Sequence, residues 1–347
     1  MLLRGRRVLL DGRLVADVDV WIADGVVVAT GPAGTEPAQL VDVIAPGFVD
    51  VHVHALDGCG VVLEDTDVSG LGTALAHRGV TSFLATTGAA PLDHLLAVLA
   101  AAGDVPGCLG VHLEGPWLSP ARAGAQPVQH LCLPSVTDLR TLLAAGPVRV
   151  ITLAPELTGA HEVIRAAREA GVVVSLGHSD ASYAEALAAV ELGASHITHC
   201  FNAMSGLHHR EPGLVGAAFD SADLTVEVIA DGVHVHPAAV RALVSAAGPE
   251  RVCLVSDAVD LPVGGKDAAR LADGTLAGSR SGLDAAVRNV VAWGIAVEDA
   301  LVMAATTPAR VAGRPDLGRI AVGAPADLVL LDDRLRVVQT LRGGVPC

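Results

Sequence analysis

From residue 46 onward the chain alternates between short runs of apolar, mostly β-branched residues and longer Ala- and Leu-rich stretches. The short runs are GFVDVHVH, TSFLATTG, CLGVHLEG, VRVITLAPE, VVVSLGHS, ASHITHCFN, TVEVIADGVHV and VCLVSDA. They recur roughly 20 to 35 residues apart, as a βα repeat requires. Helical segments such as HEVIRAAREAG and YAEALAAVELG fill the gaps. Strands alternating with helices predict βαβ units, and eight of them predict a (β/α)8 barrel, an α/β fold. Several of these runs stay apolar up to one polar residue and then break into a loop containing Gly, Pro or Asn. A barrel exposes its catalytic side chains at those strand ends.

The two ends of the chain read differently. Residues 1–45 form short strand-like runs with the dipeptide DG twice between them, a tight-turn signal. The last stretch, LGRIAVGAPADLVLLDDRLRVVQTLRGG, returns to strands and turns. The expectation is a small β-sandwich domain built from residues 1–45 and 318–347, beside a barrel of residues 46–317.

Composition narrows the picture. Hydrophobic residues make up 51% and aromatics only 2%, so the core must be built from Ala, Val, Leu and Ile. The net charge of -15, from 38 acidic against 23 basic residues, argues against a nucleic-acid partner, whose binding needs clustered Lys and Arg. No run approaches the roughly 18 consecutive apolar residues of a membrane span. MLLRGRRVLLDGRLV lacks the apolar segment of a secretion signal, so a cytoplasmic location is the expectation. The six cysteines have no C-x-x-C spacing and read as reduced thiols.

The chemistry gathers at the strand ends. In the first run, the period of two puts Asp50, His52 and His54 on one face, so two imidazoles point the same way. Such a His-x-His pair can bind one metal ion, and a carboxylate such as Glu114 can bridge it to a second ion held by His178 and His199. Asp257, after the buried run VCLVS, falls at the mouth of the eighth strand. A carboxylate there can take a proton from water and deliver it to a leaving group. Zinc or iron suits the mixed nitrogen and oxygen ligands, with manganese also possible, and one or two ions per subunit can be held.

The longer motifs HLEGPWL, GHSDAS, THCFNAM, REPGLVGA, IADGVHV, LVSDA and DGTLAGS, taken in order, resemble those of N-acetylglucosamine-6-phosphate deacetylases of the amidohydrolase superfamily. The run APGFVDVHVHA is similar to the first strand of binuclear members. The resemblance implies deacetylation of an amino sugar phosphate. Glu114, His178 and His199 would hold the main metal, His52 and His54 a second, and Asp257 would serve as general base and acid. It also implies substrate contacts from Asn202, Ala203, Arg210 and His234 and from Leu276, Ala277 and Gly278. Some phosphate contacts would cross the interface of a homodimer.

Two departures bear on the substrate. Where the family commonly has a substrate-contacting histidine, an ungapped alignment places Gln126, which can donate a hydrogen bond but carries no proton charge. The segment VDLPVGGKDAARLA after Asp257 is shorter than the family's usual one. A related amidohydrolase acting on another acetamido sugar phosphate, a cyclic amide or an N-acyl substrate therefore stands as an alternative. A sugar-phosphate binder without turnover is a further one.

Overall fold

The computed structural model describes residues 1–61, 66–261 and 268–347. Eight parallel strands form one sheet in sequential order: Phe48–Val53, Val80–Thr87, Cys108–Glu114, Val148–Leu153, Val173–Leu176, Ala194–Ile197, Thr225–Ile229 and Val252–Val255. These are the eight apolar runs of the sequence. The strands end before the longest runs do. The seventh strand stops at Ile229 because Asp231 Oδ1 accepts the backbone N–H groups of Val233 and His234, which curls the chain into a loop. Beyond the eighth strand, the barrel is closed by hydrogen bonds onto the first. Asp257 N–H donates to the His52 carbonyl at 2.9 Å, and His54 and Ala55 N–H groups donate to the Ala258 carbonyl at 3.0 and 2.9 Å.

Among the described residues, one α-helix follows each of the first seven strands, beginning with Val68–Ala76, and Leu283–Ala292, Val297–Leu301 and Thr307–Val311 follow the eighth. The helix Ala160–Glu169 shows why they dock: Ala160, Val163, Ile164 and Ala167 recur at helical spacing and are all buried. The helix Tyr183–Leu192 begins with a reciprocal capping box between Ser182 and Glu185. A hairpin of Ala268–Arg270 and Leu276–Ser279 lies between the eighth strand and Leu283–Ala292.

The terminal segments combine as expected, in one continuous seven-stranded sheet. Its first two turns, Asp11-Gly12 and Asp24-Gly25, have both residues at positive φ, the geometry that DG dipeptides favour in hairpins. The sheet folds over so that Val26 bridges Pro325 and the Ala326 N–H reaches the Gly25 carbonyl at 2.9 Å. Leu3, Val8, Val20, Ile22, Ile44, Leu328 and Leu330 fill its interior. It is fastened to the barrel by the Thr340 hydroxyl on the Ala76 carbonyl and by Arg342 Nε on the Thr81 carbonyl. All six cysteines are unpaired, and Cys200 and Cys253 are buried. Among the described residues, no helix is long and apolar enough to cross a membrane.

A candidate metal centre at the barrel mouth

Each predicted ligand sits where an apolar strand ends. His52 is the penultimate residue of the first strand and His54 follows it, Glu114 closes the third, and His178 and His199 lie two residues beyond the fifth and sixth. His178, His199 and Asp257 adopt φ of 46°, 29° and 44°, a region that non-glycine residues rarely occupy. That backbone turn swings three side chains from separate strands toward one point, and the surrounding hydrogen bonds must hold it there.

The side chains converge. Glu114 Oε1 lies 3.0 Å from His178 Nε2 and 2.9 Å from His199 Nε2, and the two nitrogens are 3.1 Å apart. His52 Nε2 and His54 Nε2 are 3.2 Å apart, and both lie within 3.5 Å of Glu114 carboxylate oxygens. Asp257 Oδ1 is 3.4 Å from His52 Nε2 and 3.3 Å from His54 Nε2. The five predicted ligands and Asp257 therefore share one nest.

Which atoms carry protons follows from the far side of each ring. His178 Nδ1 faces the Arg122 carbonyl at 3.0 Å, His54 Nδ1 faces the Thr86 carbonyl at 3.1 Å, and His52 Nδ1 faces the Glu227 carboxylate at 2.8 Å. Carbonyls and carboxylates only accept, so each Nδ1 must donate. In a neutral ring the Nε2 lone pair then points into the nest, against carboxylate oxygens that are also acceptors. Acceptors facing acceptors at about 3 Å need positive charge between them. Metal-ligating histidines have this arrangement, with the second nitrogen donated to an oxygen behind it.

The proton affinities point the same way. Burial opposes charge at all of these groups, yet His178 and His52 hold Glu114 well below the usual carboxylate range. Asp257 is likewise held low by His52 and His54. Against the same burial, Glu227, Asp257 and Glu114 push His52 up to about 10, and Glu114 raises His199. Two groups, His52 with His54 and Glu114 and Glu114 with His178 and His199, each offer two imidazole nitrogens and a carboxylate oxygen, a donor set that fits a divalent cation of the zinc, iron or manganese type.

Above the nest lies a pocket of roughly 430 Å³. Gln126, Asn202, Ala203, His234, Leu276 and Ala277 line it, together with Glu114, His178, His199 and Asp257. Gln126 is held at both ends of its amide: Nε2 donates to Glu114 Oε2, and Oε1 accepts the Ala89 N–H at 2.7 Å. His234 Nδ1 is fixed by Asp231 at 2.7 Å. Two predicted residues are not among the pocket lining. Arg210 sits in the exposed segment 206–211 with its guanidinium on His209. Gly278 lies behind Leu276 and Ala277, so close to the Asp257 carbonyl that a Cβ would come within 2.5 Å of it. Of the shortened segment after Asp257, residues 262–267 lie outside the described residues.

Sequence reasoning passed over three buried polar residues inside the barrel. Glu227 receives His52 and His196, and His112 is saturated by the Val51 carbonyl at 3.0 Å and the Thr152 hydroxyl at 2.7 Å. Burial and the neighbouring His52 hold His112 down to about 3, so it stays neutral. The signals were present: His112 is two residues before Glu114 on the same strand face, and Glu227 is a lone charge in the apolar run TVEVIA.

The model of the Amidohydrolase family matches residues 43–345. The chain belongs to the amidohydrolase family. This amidohydrolase is 38% identical to an N-acetylgalactosamine-6-phosphate deacetylase of Escherichia coli, over 97% of this chain and 96% of that one. It is 36% identical to the N-acetylglucosamine-6-phosphate deacetylase of Bos taurus, over 97% and 93% of the two chains. Among solved structures, an alanine variant of the N-acetyl-D-glucosamine-6-phosphate deacetylase of Mycobacterium smegmatis, in complex with N-acetyl-D-glucosamine-6-phosphate, superposes with a TM-score of 0.92. It is 36% identical, covering 100% of this chain and 98% of that one. The Thermotoga maritima N-acetylglucosamine-6-phosphate deacetylase gives 0.91 at 32% identity, covering 100% and 99%.

Proposed function

We propose that this amidohydrolase removes the acetyl group of an N-acetylated amino sugar 6-phosphate, converting N-acetylglucosamine 6-phosphate to glucosamine 6-phosphate and acetate. One observation carries the metal-dependent part of this reading: the Nε2 atoms of His52, His54 and His178 converge on the Glu114 carboxylate while each Nδ1 is committed to an acceptor behind its ring. The substrate class rests on the deacetylases that resemble the chain over nearly its whole length.

Glu114, His178 and His199 would hold the main cation, and His52 and His54 a second. When bound, a divalent cation supplies Lewis acidity that polarises the acetamide carbonyl and acidifies water. Asp257, beside both clusters, accepts the proton of the attacking water and returns it to the departing amine, so one carboxylate serves both halves of the hydrolysis. Gln126 has one amide hydrogen left, because Glu114 takes the other, and offers it to the acetyl oxygen. His234, with Nδ1–H committed to Asp231, accepts a sugar hydroxyl at Nε2 when neutral. Asn202, Ala203, Leu276 and Ala277 complete the pocket wall, and Gly278 supports it.

Arg210 offers a planar fork for phosphate. Its exposed position outside the pocket of its own chain suits a homodimer in which phosphate contacts cross the interface. The same reading assigns residues 46–317 to the catalytic barrel and 1–45 with 318–347 to its companion, in a cytoplasmic enzyme of amino sugar metabolism.

The test is acetate release by metal-stripped protein resupplied with zinc, iron(II) or manganese. The substrates are N-acetylglucosamine 6-phosphate, its galactosamine epimer and unphosphorylated N-acetylglucosamine. Metal-dependent turnover of the phosphorylated sugars, at least ten times faster than the free sugar, is the expected result. Equal turnover with and without phosphate would remove Arg210 from the site. The ratio of kcat/KM between the two epimers assigns the sugar.

A further inference from the structure

Glu227 lies inside the barrel, wholly buried, on the seventh strand, and belongs to none of the predicted ligand sets. Its carboxylate is nonetheless the meeting point of both halves of the centre. Oε2 accepts from His52 Nδ1 at 2.8 Å and from the backbone N–H of His199 at 3.1 Å. Oε1 accepts from His196 Nε2 at 3.0 Å, and the far nitrogen of His196 meets the Thr225 hydroxyl at 2.7 Å. A buried carboxylate with three donors is a fully satisfied group, and such groups fix the geometry around them.

The two bonds to Oε2 have different consequences. The one from His52 sets the tautomer: with Nδ1 committed, the Nε2 lone pair of a neutral ring faces His54, Asp257 and Glu114. The one from His199 holds a backbone, not a ring. His199 has φ of 29°, and among the described residues its buried Nδ1 has no hydrogen-bond partner to aim the ring. What aims His199 at Glu114 is its backbone, clamped by Glu227 at its N–H and by the Asn202 N–H on its carbonyl at 3.0 Å.

We propose that Glu227 is a positioning residue that ties the His52 and His54 cluster to the Glu114, His178 and His199 cluster, so that the cation affinity of both depends on its charge. The inference rests on the metal-centre reading above. His52 loses its tautomer and orientation without Glu227, whereas His199 loses one of three backbone restraints, keeping the backbone and side-chain amides of Asn202 on its carbonyl. Removing the charge therefore weakens the His52 side more.

The experiment uses the full chain. Glu227→Gln and the charge-retaining Glu227→Asp are loaded with zinc or cobalt(II), and bound metal is counted and titrated beside wild type. For Glu227→Gln the expected result is a cation affinity lowered ~10–100-fold at the His52 and His54 position, with a smaller loss at the other. The cobalt spectrum changes in shape, kcat falls while KM stays within about twofold, and Glu227→Asp recovers part of both. Nitrogen NMR of the zinc-loaded wild type, which needs no variant to fold, places the His52 proton on Nδ1. Glu227→Gln with wild-type metal content, affinity and spectrum overturns the role of Glu227 alone, as does a His52 proton on Nε2. Wild-type protein that takes up no metal overturns the metal-centre reading and this inference together.

Discussion

The floor and the wall of the pocket are built on opposite plans. On the floor, side chains from strand ends are fixed from behind: His54 by Thr86, His178 by Arg122, and His52 by Glu227. The wall is made of loops and a short hairpin, with small or apolar residues such as Ala89, Ala203, Leu276 and Ala277 and a few aimed polar groups. A rigid floor with an interchangeable wall lets a barrel keep its reaction and change its substrate. The difference predicts that floor substitutions act on turnover and wall substitutions act on selectivity.

The sharpest break in that division comes from Asp257→Asn, which keeps shape and removes the carboxylate proposed as the base. The expected loss is ~10²–10⁴-fold in kcat with metal content unchanged, measured by acetate release and metal analysis. Full turnover in that variant would return the proton-transfer role to another group. Next in size is Arg210→Ala, expected to raise KM for the phosphorylated sugar ~10–100-fold, as loss of a charge-assisted bond does, and to leave the unphosphorylated sugar unaffected. A fall in kcat for both sugars would show that Arg210 supports the floor instead.

Gly278→Ala probes the joint between the two regions, because Ser279 N–H donates to the Asp257 carbonyl at 2.9 Å and leaves no room for a Cβ at 278. A destabilisation of ~1–3 kcal/mol by overpacking is expected in chemical denaturation, with kcat reduced. Unchanged stability would show that the hairpin yields freely. The smallest effect concerns Asp231. Burial pushes its carboxyl up, but bonds from the His234 ring and backbone win and hold it below its ordinary value. A depressed carboxyl contributes stability that is complete above the usual carboxylate range and fades as pH falls through its lowered folded pKa. Wild type minus Asp231→Asn should therefore be flat at neutral pH and shrink below about pH 4. A difference that grows there would reverse the sign.

The floor was legible in the strand pattern itself, whereas the wall was legible only through the family resemblance, which named Gln126, Asn202, Ala203, His234, Leu276 and Ala277 of its lining. His52, Glu114, His178, His199 and Asp257 each interrupt or end an apolar strand, and a strand's end is readable from pattern alone. Glu227, His112 and His196 were harder because they are mid-strand polar residues that need partners from other strands, and those partners appear only on folding. The sequence pattern predicts no position for Arg210 relative to the pocket, since a loop following His208 and His209 has no periodicity to constrain it. Gln126 was placed by ungapped alignment to a family, and only the structure shows that its amide is already committed at Glu114 and Ala89.

The hydrogen bond from Asp257 N–H to the His52 carbonyl closes the circle of strands, and the same two residues face each other across the nest. Alignment of the site is therefore not an addition to a finished scaffold: the seam of the barrel and the seat of the proposed base are one piece of backbone. Amide hydrogen exchange at residue 257 would report both at once, because any excursion that unzips the last strand from the first also disperses the reacting groups.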